Sequence, residues 1–328
     1  MAESRMMKRK KRRKRKRKYI FSFVILFFLS LLLYGGYEFM AGQEEARDRL
    51  NEMNTDDSNN QGNQYTDFNP AEQLTDKINV LLLGVDSRGE EKSRTDTIMI
   101  GQYDPEKDTA KLASIMRDTY VNIPGYGYNK INAAFFFGGP ELLRQTLKEN
   151  FDLDIHYYAI VDFQGFIHVV DTIAPDGVEI DVEKRMVYRD DSDGTYIDLY
   201  PGKQTLDGEN LLDYARFRND AEGDFGRVRR QQQIINTLKD EVLSVGGILK
   251  LPRVIGTILP YVETNMKTST ILSLGKDYLL NPIDSIETMT IPVEGSFWDE
   301  TYDHAGAVLA IDEEKNRQAI KEFFETDN

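Results

Sequence analysis

Two aspartates, Asp86 and Asp96, punctuate the stretch LLLGVDSRGEEKSRTDTIMI. Asp86 closes an apolar run of strand length and Asp96 opens the next one. A sheet built from these runs brings both carboxylates to the crevice at the carboxyl ends of its strands, where open α/β folds place ligands. Two hard oxygen donors there suit Mg²⁺, which takes one or two carboxylates and completes its shell with substrate phosphates. The same two residues also suit plain turn capping. A set of arginines is spread unevenly along the chain: Arg88 and Arg94 between the aspartates, Arg117 behind the strand ASIM, Arg216 and Arg218 in DYARFR, then Arg227, Arg229 and Arg230. Positions 216 and 218 do not share a helix face, but a fraying helix end lets both reach one ligand. Arg227 and Gln231 are one helical turn apart, beside a helix start expected after Gly226. Guanidinium forks beside a helix N-terminus supply what a pyrophosphate needs, a donor for each oxygen and an opposing field for the charge. Surface arginines pairing with carboxylates are the plainer alternative; clustering within an acidic domain favours the ligand.

The elements that must position these groups read as an α/β pattern. INVLLLGVD is a near-continuous apolar run, as a central strand covered on both faces requires. DTIMIGQYD and TAKLASIM form a hairpin around Asp104 and Pro105, GGPELLRQTLKENF a helix, IHYYAIVDF a strand, QGFIHVVDTI a helix and GVEIDV a strand. DGENLLDYARFR and RVRRQQQIINTLKDEVLS are amphipathic helices, and LPRVIGTILPYVETN, STILSLGKDYLL and EEKNRQAIKEFFE give further ones. This alternation predicts an α/β domain with helices on both faces of its sheet. AAFFFGG reads as the end of a core helix or as the border of a lipid channel, and DSDGT as a turn.

Composition narrows the setting. The formal net charge is −14, yet Lys8 to Lys18 is an unbroken basic run. Beyond residue 18 there remain 29 basic and 54 acidic residues, about −25. The apolar run YIFSFVILFFLSLLLYGGYEFM follows the basic block, long enough to span a bilayer as a helix with the basic flank held in the cytoplasm. A cleavable signal peptide is the rival reading, disfavoured because the run exceeds the usual h-region of roughly 7–15 residues and no clear small-x-small site precedes Glu44. The organisation expected is a cytoplasmic tail (1–18), a transmembrane helix (19–40), an extracellular polar stalk (41–76) and one catalytic domain (77–328). That is a single-pass type II protein of the cell membrane, and the basic block is a topology signal, so no nucleic acid is expected as partner. The absence of cysteine excludes disulfides, thiol nucleophiles and cysteine-ligated zinc. His156, His168 and His304 have no metal-like spacing, and His168 reads as a packed helix residue.

Three ordered segments, LLLGVDSRGEEKSRTDTIMI, ASIMRDTYVNIPGYGYNKINAAFFFGGPELL and LDGENLLDYARFRNDAEGDFGRVRRQQQII, together resemble the LytR-CpsA-Psr family of cell-wall ligases. The resemblance covers roughly residues 77–245; Met116 departs from it, standing where the family often has Pro before the Arg-Asp pair. It implies a central mixed β-sheet in an αβα arrangement. It implies Mg²⁺, or Mn²⁺ in its place, on Asp86 and Asp96, and a pyrophosphate surrounded by Arg88, Arg94, Arg117, Arg216, Arg218, Arg227 and Gln231, with Asp86, Arg117 and Arg218 catalytic. A greasy pocket between sheet and helices would take a polyprenyl tail. The implied reaction moves an anionic glycopolymer, such as wall teichoic acid, from an undecaprenyl-pyrophosphate carrier to the 6-hydroxyl of N-acetylmuramic acid in peptidoglycan. Two rivals stay open: a polyprenyl-pyrophosphate phosphohydrolase using the same residues with water, and a non-enzymatic envelope regulator. Trp298 in GSFWDE is open between a wall contact and simple packing.

Overall fold

In the computed structural model, Ser30 and residues 33–51, 65, 67–86, 95–190, 195–244 and 251–326 are described. A helix, α1, runs over residues 33–51. Strands β1 (Ile78–Val85), β2 (Thr95–Asp104), β3 (Thr109–Ile115), β4 (Tyr120–Ile123) and β5 (Gly127–Lys130) lead into helix α2 (Ile131–Phe151). Strand β6 (Tyr157–Asp162), helix α3 (Phe163–Ile173) and strands β7 (Val178–Val182), β8 (Met186–Asp190), β9 (Thr195–Leu199) and β10 (Gly202–Leu206) come next. Helices α4 (Gly208–Arg216), α5 (Gly223–Ser244) and α6 (Leu251–Ile258), strand β11 (Val262–Thr264) and helix α7 (Thr268–Leu280) follow. Strands β12 (Ile286–Ile291), β13 (Phe297–Tyr302) and β14 (Gly306–Ile311) precede the last helix, α8 (Glu313–Glu325).

The apolar run INVLLLGV is apolar on both faces because β1 lies inside the main sheet, whose order is β11-β6-β1-β2-β3-β12. The sheet is mixed: β1 is parallel to β6 and antiparallel to β2, while β3 is antiparallel to β2 and parallel to β12. Strands β1, β3, β6 and β12 therefore run the same way, and their carboxyl ends meet the amino end of β2 along one edge. One face carries the larger core, where Leu81, Leu83, Ile98, Ile100 and Ile115 pack with Leu143 and Leu147 of α2 and Ile320 and Phe324 of α8. Over the other face lies α5, whose Gln232 Nε2 donates to Ser114 Oγ and to the Met289 carbonyl, each at 2.9 Å. A second core joins β7, β9, α3, α4 and α5 through Val178, Ile180, Ile197, Leu211 and Tyr214. The architecture is thus α/β with a mixed central sheet and helices on both faces, as expected.

Some expectations hold and others change. AAFFFGG is the end of a core helix segment, as expected: α2 is broken by the non-helical Gly138 and Gly139, and a second helical segment resumes at Pro140. Gly139 has φ of +63°, and a Cβ there would meet the Tyr65 ring at 2.7 Å, so only glycine suits the kink. The stretch 41–76 is not a solvated stalk in its described parts. Residues 41–51 continue α1, which docks on α6: Ala46 is fully buried, the Tyr261 hydroxyl donates to its carbonyl at 3.3 Å, and Arg253 pairs with Glu38 at 3.3 Å and Glu45 at 3.1 Å. Small residues one turn apart, Gly42 and Ala46, form the seam that permits this close approach. Further along, the Tyr65 ring lies 5.6 Å from Phe135, Phe68 lies 4.9 Å from Tyr158, and Ala71 N–H donates to the Ile155 carbonyl at 2.9 Å. The basic tail and most of the 19–40 apolar run lie outside the described residues. Among the described residues no helix is long and apolar enough to cross a membrane.

Candidate functional site

The edge where strand ends converge carries the predicted acidic pair. β1 and β2 pair regularly from Ile78↔Tyr103 to Gly84↔Thr97, and then Val85 pairs with Thr95. Asp96 is the extra residue at this bulge, a device that re-aims a side chain and recurs beside active sites. Asp86 follows Val85 directly, so the two aspartates leave neighbouring register positions of adjacent strands. Thr95 Oγ1 holds the bulge shut by donating to the Gly84 carbonyl at 2.9 Å.

Arg117 leaves the end of β3 at a turn in which Thr119 N–H donates to the Met116 carbonyl at 3.0 Å. Met116, at the position where proline was the expectation, is buried, and its N–H prolongs the parallel ladder by donating to the Ile291 carbonyl at 2.9 Å. A proline has no N–H for that bond. The turn aims the Arg117 guanidinium at Asp96, with which it forms a direct ion pair. Asp118 lies 3.5 Å from Arg117 Nε and Asp224 lies 4.0 Å from it. Burial works against the charge on Arg117, but Asp96, Asp224 and Asp118 outweigh it and hold its pKa above the ordinary arginine value.

Arg227 closes the group from α5. Its Nη2 donates to Asp224 Oδ2 at 2.8 Å and to the Asp96 backbone carbonyl at 3.2 Å. The side chain is almost wholly buried, and burial lowers its pKa; Asp224 and Asp96 oppose that shift, while Arg117 and Arg218 add to it. Arg218 is exposed and stands close enough for its charge to be felt at Arg227. The buried Nε atoms of Arg117 and Arg227 have no hydrogen-bond partner. Buried donors left unsatisfied are costly and uncommon in folded proteins, and here two of them stand on guanidiniums at one strand edge. A ligand rich in acceptor oxygens would satisfy both.

Arg216 and Gln231 form a second group on the β6 side of the same edge. Arg216 Nη2 donates to Thr195 Oγ1 at 3.1 Å, and its guanidinium stacks 4.4 Å over the ring of Phe163, the residue after β6. Gln231 Nε2 donates to the Ala215 carbonyl at 3.4 Å. Helix α5 starts at Gly223, not after Gly226, so its first turn presents Asp224 and places Arg227 one turn inside. Arg229 and Arg230 turn away: Arg229 pairs with Glu222 and Glu183, and the fully buried Arg230 pairs with Glu183 at 3.2 Å and Asp220 at 3.3 Å, holding α5 to the loops beside it. Arg88 and Arg94 lie outside the described residues. His156 accepts from Asn79 N–H at 2.9 Å and His168 stacks on Tyr261 at 4.7 Å, both as packing residues.

Sequence reading missed Asp118, Asp224 and Lys130. Asp224 links the two guanidiniums: its carboxylate lies 2.8 Å from Arg227 and 4.0 Å from Arg117. The visible signal was an acid in the first turn of α5, three residues before Arg227. Lys130 pairs with Asp118 at 2.7 Å and adds a cation at the rim. Among the described residues no three His, Cys, Asp or Glu side chains gather as a metal cage. Two carboxylates at adjacent strand ends fit an ion completed by substrate phosphates rather than a closed protein site.

Guanidiniums arranged in this way can bind and polarise a phosphate diester or pyrophosphate. The model of the LytR_cpsA_psr family matches residues 37–321. The regulatory protein MsrR of Staphylococcus aureus is 44% identical over 260 residues, covering 79% of this chain and 78% of its own. A protein of Oceanobacillus iheyensis named polyisoprenyl-teichoic acid–peptidoglycan teichoic acid transferase TagU is 34% identical over 301 residues, 89% of each chain. The crystal structure of Bacillus subtilis TagV superimposes with a TM-score of 0.64 at 29% identity, over 77% of this chain and 98% of its own. TagT bound to LI-WTA superimposes with a TM-score of 0.60 at 28% identity, over 81% and 97%. With Asp96, Arg117 and Arg227, one residue from each of the three motifs, meeting at one strand edge and the family match running across nearly all the described residues, the chain belongs to the LytR-CpsA-Psr family.

Proposed function

We propose that the chain is a phosphotransferase that moves an anionic glycopolymer, of the wall teichoic acid type, from an undecaprenyl-pyrophosphate carrier to the N-acetylmuramic acid 6-hydroxyl of peptidoglycan. The observation that carries this reading is the pair of buried, unsatisfied guanidinium N–H groups of Arg117 and Arg227, held at one strand edge by Asp96 and Asp224. The donor pyrophosphate displaces Asp224 from between them. Arg117, Arg218 and Arg227 take its oxygens, with Arg216, Gln231 and the loop arginines Arg88 and Arg94 around the glycan-side phosphate. The acceptor hydroxyl attacks that phosphorus; a new P–O bond forms, the bond to the bridging oxygen breaks, and undecaprenyl phosphate leaves with the electron pair. The hydroxyl proton passes to a carboxylate, Asp86 in this reading. Charge gathers on the bridging and equatorial oxygens in the transition state, where fixed guanidiniums stabilise it without reorganising. Asp86 and Asp96 would hold Mg²⁺ or Mn²⁺, which when bound neutralises phosphate charge. In this reading a greasy pocket between sheet and helices takes the polyprenyl chain, and the 19–40 run anchors the protein in the membrane that supplies it.

A second reading, an envelope regulator without catalysis, is favoured by the regulatory name of the 44% identical MsrR. The discriminating experiment uses the full chain in lipid nanodiscs with lipid-pyrophosphate-linked polymer, with and without peptidoglycan. A transferase yields polymer covalently joined to peptidoglycan, with undecaprenyl phosphate released in step. Equal release without peptidoglycan indicates a phosphohydrolase, and no release in either case leaves the regulator.

A further inference from the structure

Beside the guanidinium group lies an aromatic surface for which the phosphate chemistry has no use. On β13, Trp298, Glu300 and Tyr302 alternate with residues of the opposite face, so all three side chains project from one side of the β13–β14 hairpin. Trp298 Nε1 donates to Glu300 Oε1 at 2.5 Å, and the Tyr302 hydroxyl donates to the same carboxylate. Tyr302 stacks on Tyr120 of β4 with ring centres 4.7 Å apart and planes 13° apart. Tyr120 meets Tyr128 at 5.5 Å, and His304 caps the stack, its Nε2 lying 3.3 Å from the Tyr120 hydroxyl. Trp298 and Tyr128 remain about half exposed, and Tyr126, stacked on Phe137 at 4.5 Å, is 56% exposed. A cleft of about 130 Å³ opens beside them, lined by Asn129, Lys130, Asn132, Phe136, Phe137 and His304 among others.

Large rings left in water forgo about 1.5–3 kcal/mol each of burial, and contiguous exposed apolar patches mark binding surfaces. The surroundings select the ligand. Glu300 accepts from Trp298 and Tyr302, Glu313 accepts from Tyr128, and Asp303 follows Tyr302, a set of carboxylates that repels a polyanion. Flat C–H faces of a neutral sugar pack on aromatic rings, whose faces are electronegative, while its hydroxyls donate to carboxylates. The surface is also continuous with the guanidinium group: Leu309 of β14 donates its N–H to the Asp118 carbonyl at 2.9 Å, next to Arg117, and Lys130 of the cleft pairs with Asp118. Phe297, the inward neighbour of Trp298, touches Phe225 beside Asp224 at 5.1 Å. The β13 backbone is therefore two strand spacings, ~10 Å, from the Arg117 turn.

We infer that Trp298, Tyr302, Tyr120 and His304 form the subsite that holds the neutral glycan strand of the acceptor, presenting its hydroxyl to the phosphorus at Arg117. This rests on the transferase reading for its place in the reaction, but the glycan binding itself is testable apart from it. Trp298 is the single tryptophan of the chain, so its fluorescence reports on the surface directly. The probe is soluble, uncrosslinked peptidoglycan glycan strands stripped of anionic polymer, titrated into the full chain in detergent. The expected result is a saturable change in emission that persists in Arg117→Ala and needs about tenfold more glycan in Tyr302→Ala or His304→Ala, both melting as the wild type does. In the transfer assay the same two variants raise the acceptor KM about tenfold and leave the donor KM unmoved. Wild-type transfer with no fluorescence response, or with acceptor KM unchanged in both variants, overturns the subsite while leaving the transferase reading in place. A response to purified anionic polymer in place of the glycan strands overturns it too. Glycan binding without any transfer overturns the transferase reading and leaves the subsite.

Discussion

Asp224 occupies the space between Arg117 and Arg227, so the site as folded is balanced by an internal anion. Its carboxylate competes with the donor for both guanidiniums. Asp224→Asn should therefore lower the donor KM several-fold and cost some thermal stability, because the buried Arg227 loses its carboxylate partner. A loss of turnover instead would make Asp224 a participant in proton transfer. Asp213 gives a pH test of the neighbouring helix. Burial raises its carboxyl to about 6, with Arg216 opposing and Glu209 and Asp207 assisting. A raised carboxyl favours the folded state fully only below the unfolded value near 4, and that contribution is lost as pH rises through about 6. Asp213→Asn should then gain melting temperature relative to the wild type between pH 4 and pH 7, read from thermal denaturation at both values.

At the scale of elements, α1 is the unexpected support. Its seam against α6 depends on Gly42 and Gly256, where a Cβ would strike the Arg253 and Phe39 carbonyl oxygens respectively. Gly256→Val should detach α1, exposing residues 41–51 to limited proteolysis at a cost of about 1–3 kcal/mol, with the 77–326 core still resistant; an unchanged cleavage pattern would mean that the helix does not rely on this contact. What the sequence disclosed follows the same physics. The strands β1, β2, β3 and β6 and the helices α4 and α5 carry apolar runs or stripes strong enough to be read locally. Helix α1 was hidden because its 41–51 portion is polar and is held by ion pairs and a small-residue seam to a partner some 210 residues away. The hairpins β8–β9 and β13–β14 were hidden because MVYRD, TYIDL and FWDETY are short and charged. Arg117 and Arg227 were legible as arginines in motifs; Asp118, Asp224 and Lys130 were not, since their roles arise only when distant segments meet at one edge.

The whole molecule combines an acidic domain, a site where Arg117, Arg227 and Lys130 are balanced by Asp96, Asp118 and Asp224, and an N-terminal segment whose basic block precedes an apolar run. Under the proposed function, a polyanionic donor is repelled by most of this surface and accommodated only where the guanidiniums gather, which favours specificity over capture. Topology is testable directly: in protoplasts, protease added outside should cut the domain free of the membrane and spare the basic tail, and a domain that stays attached while a tag at its C-terminus is untouched would reverse the proposed orientation.

The central claim is that Arg117 stabilises charge on a transferring phosphorus. It is tested most directly by single-turnover transfer from lipid-linked donor to peptidoglycan in wild type and Arg117→Ala, with folding checked by circular dichroism. The account predicts a folded variant slowed on the order of 100-fold or more; a folded variant that transfers at the wild-type rate would contradict it.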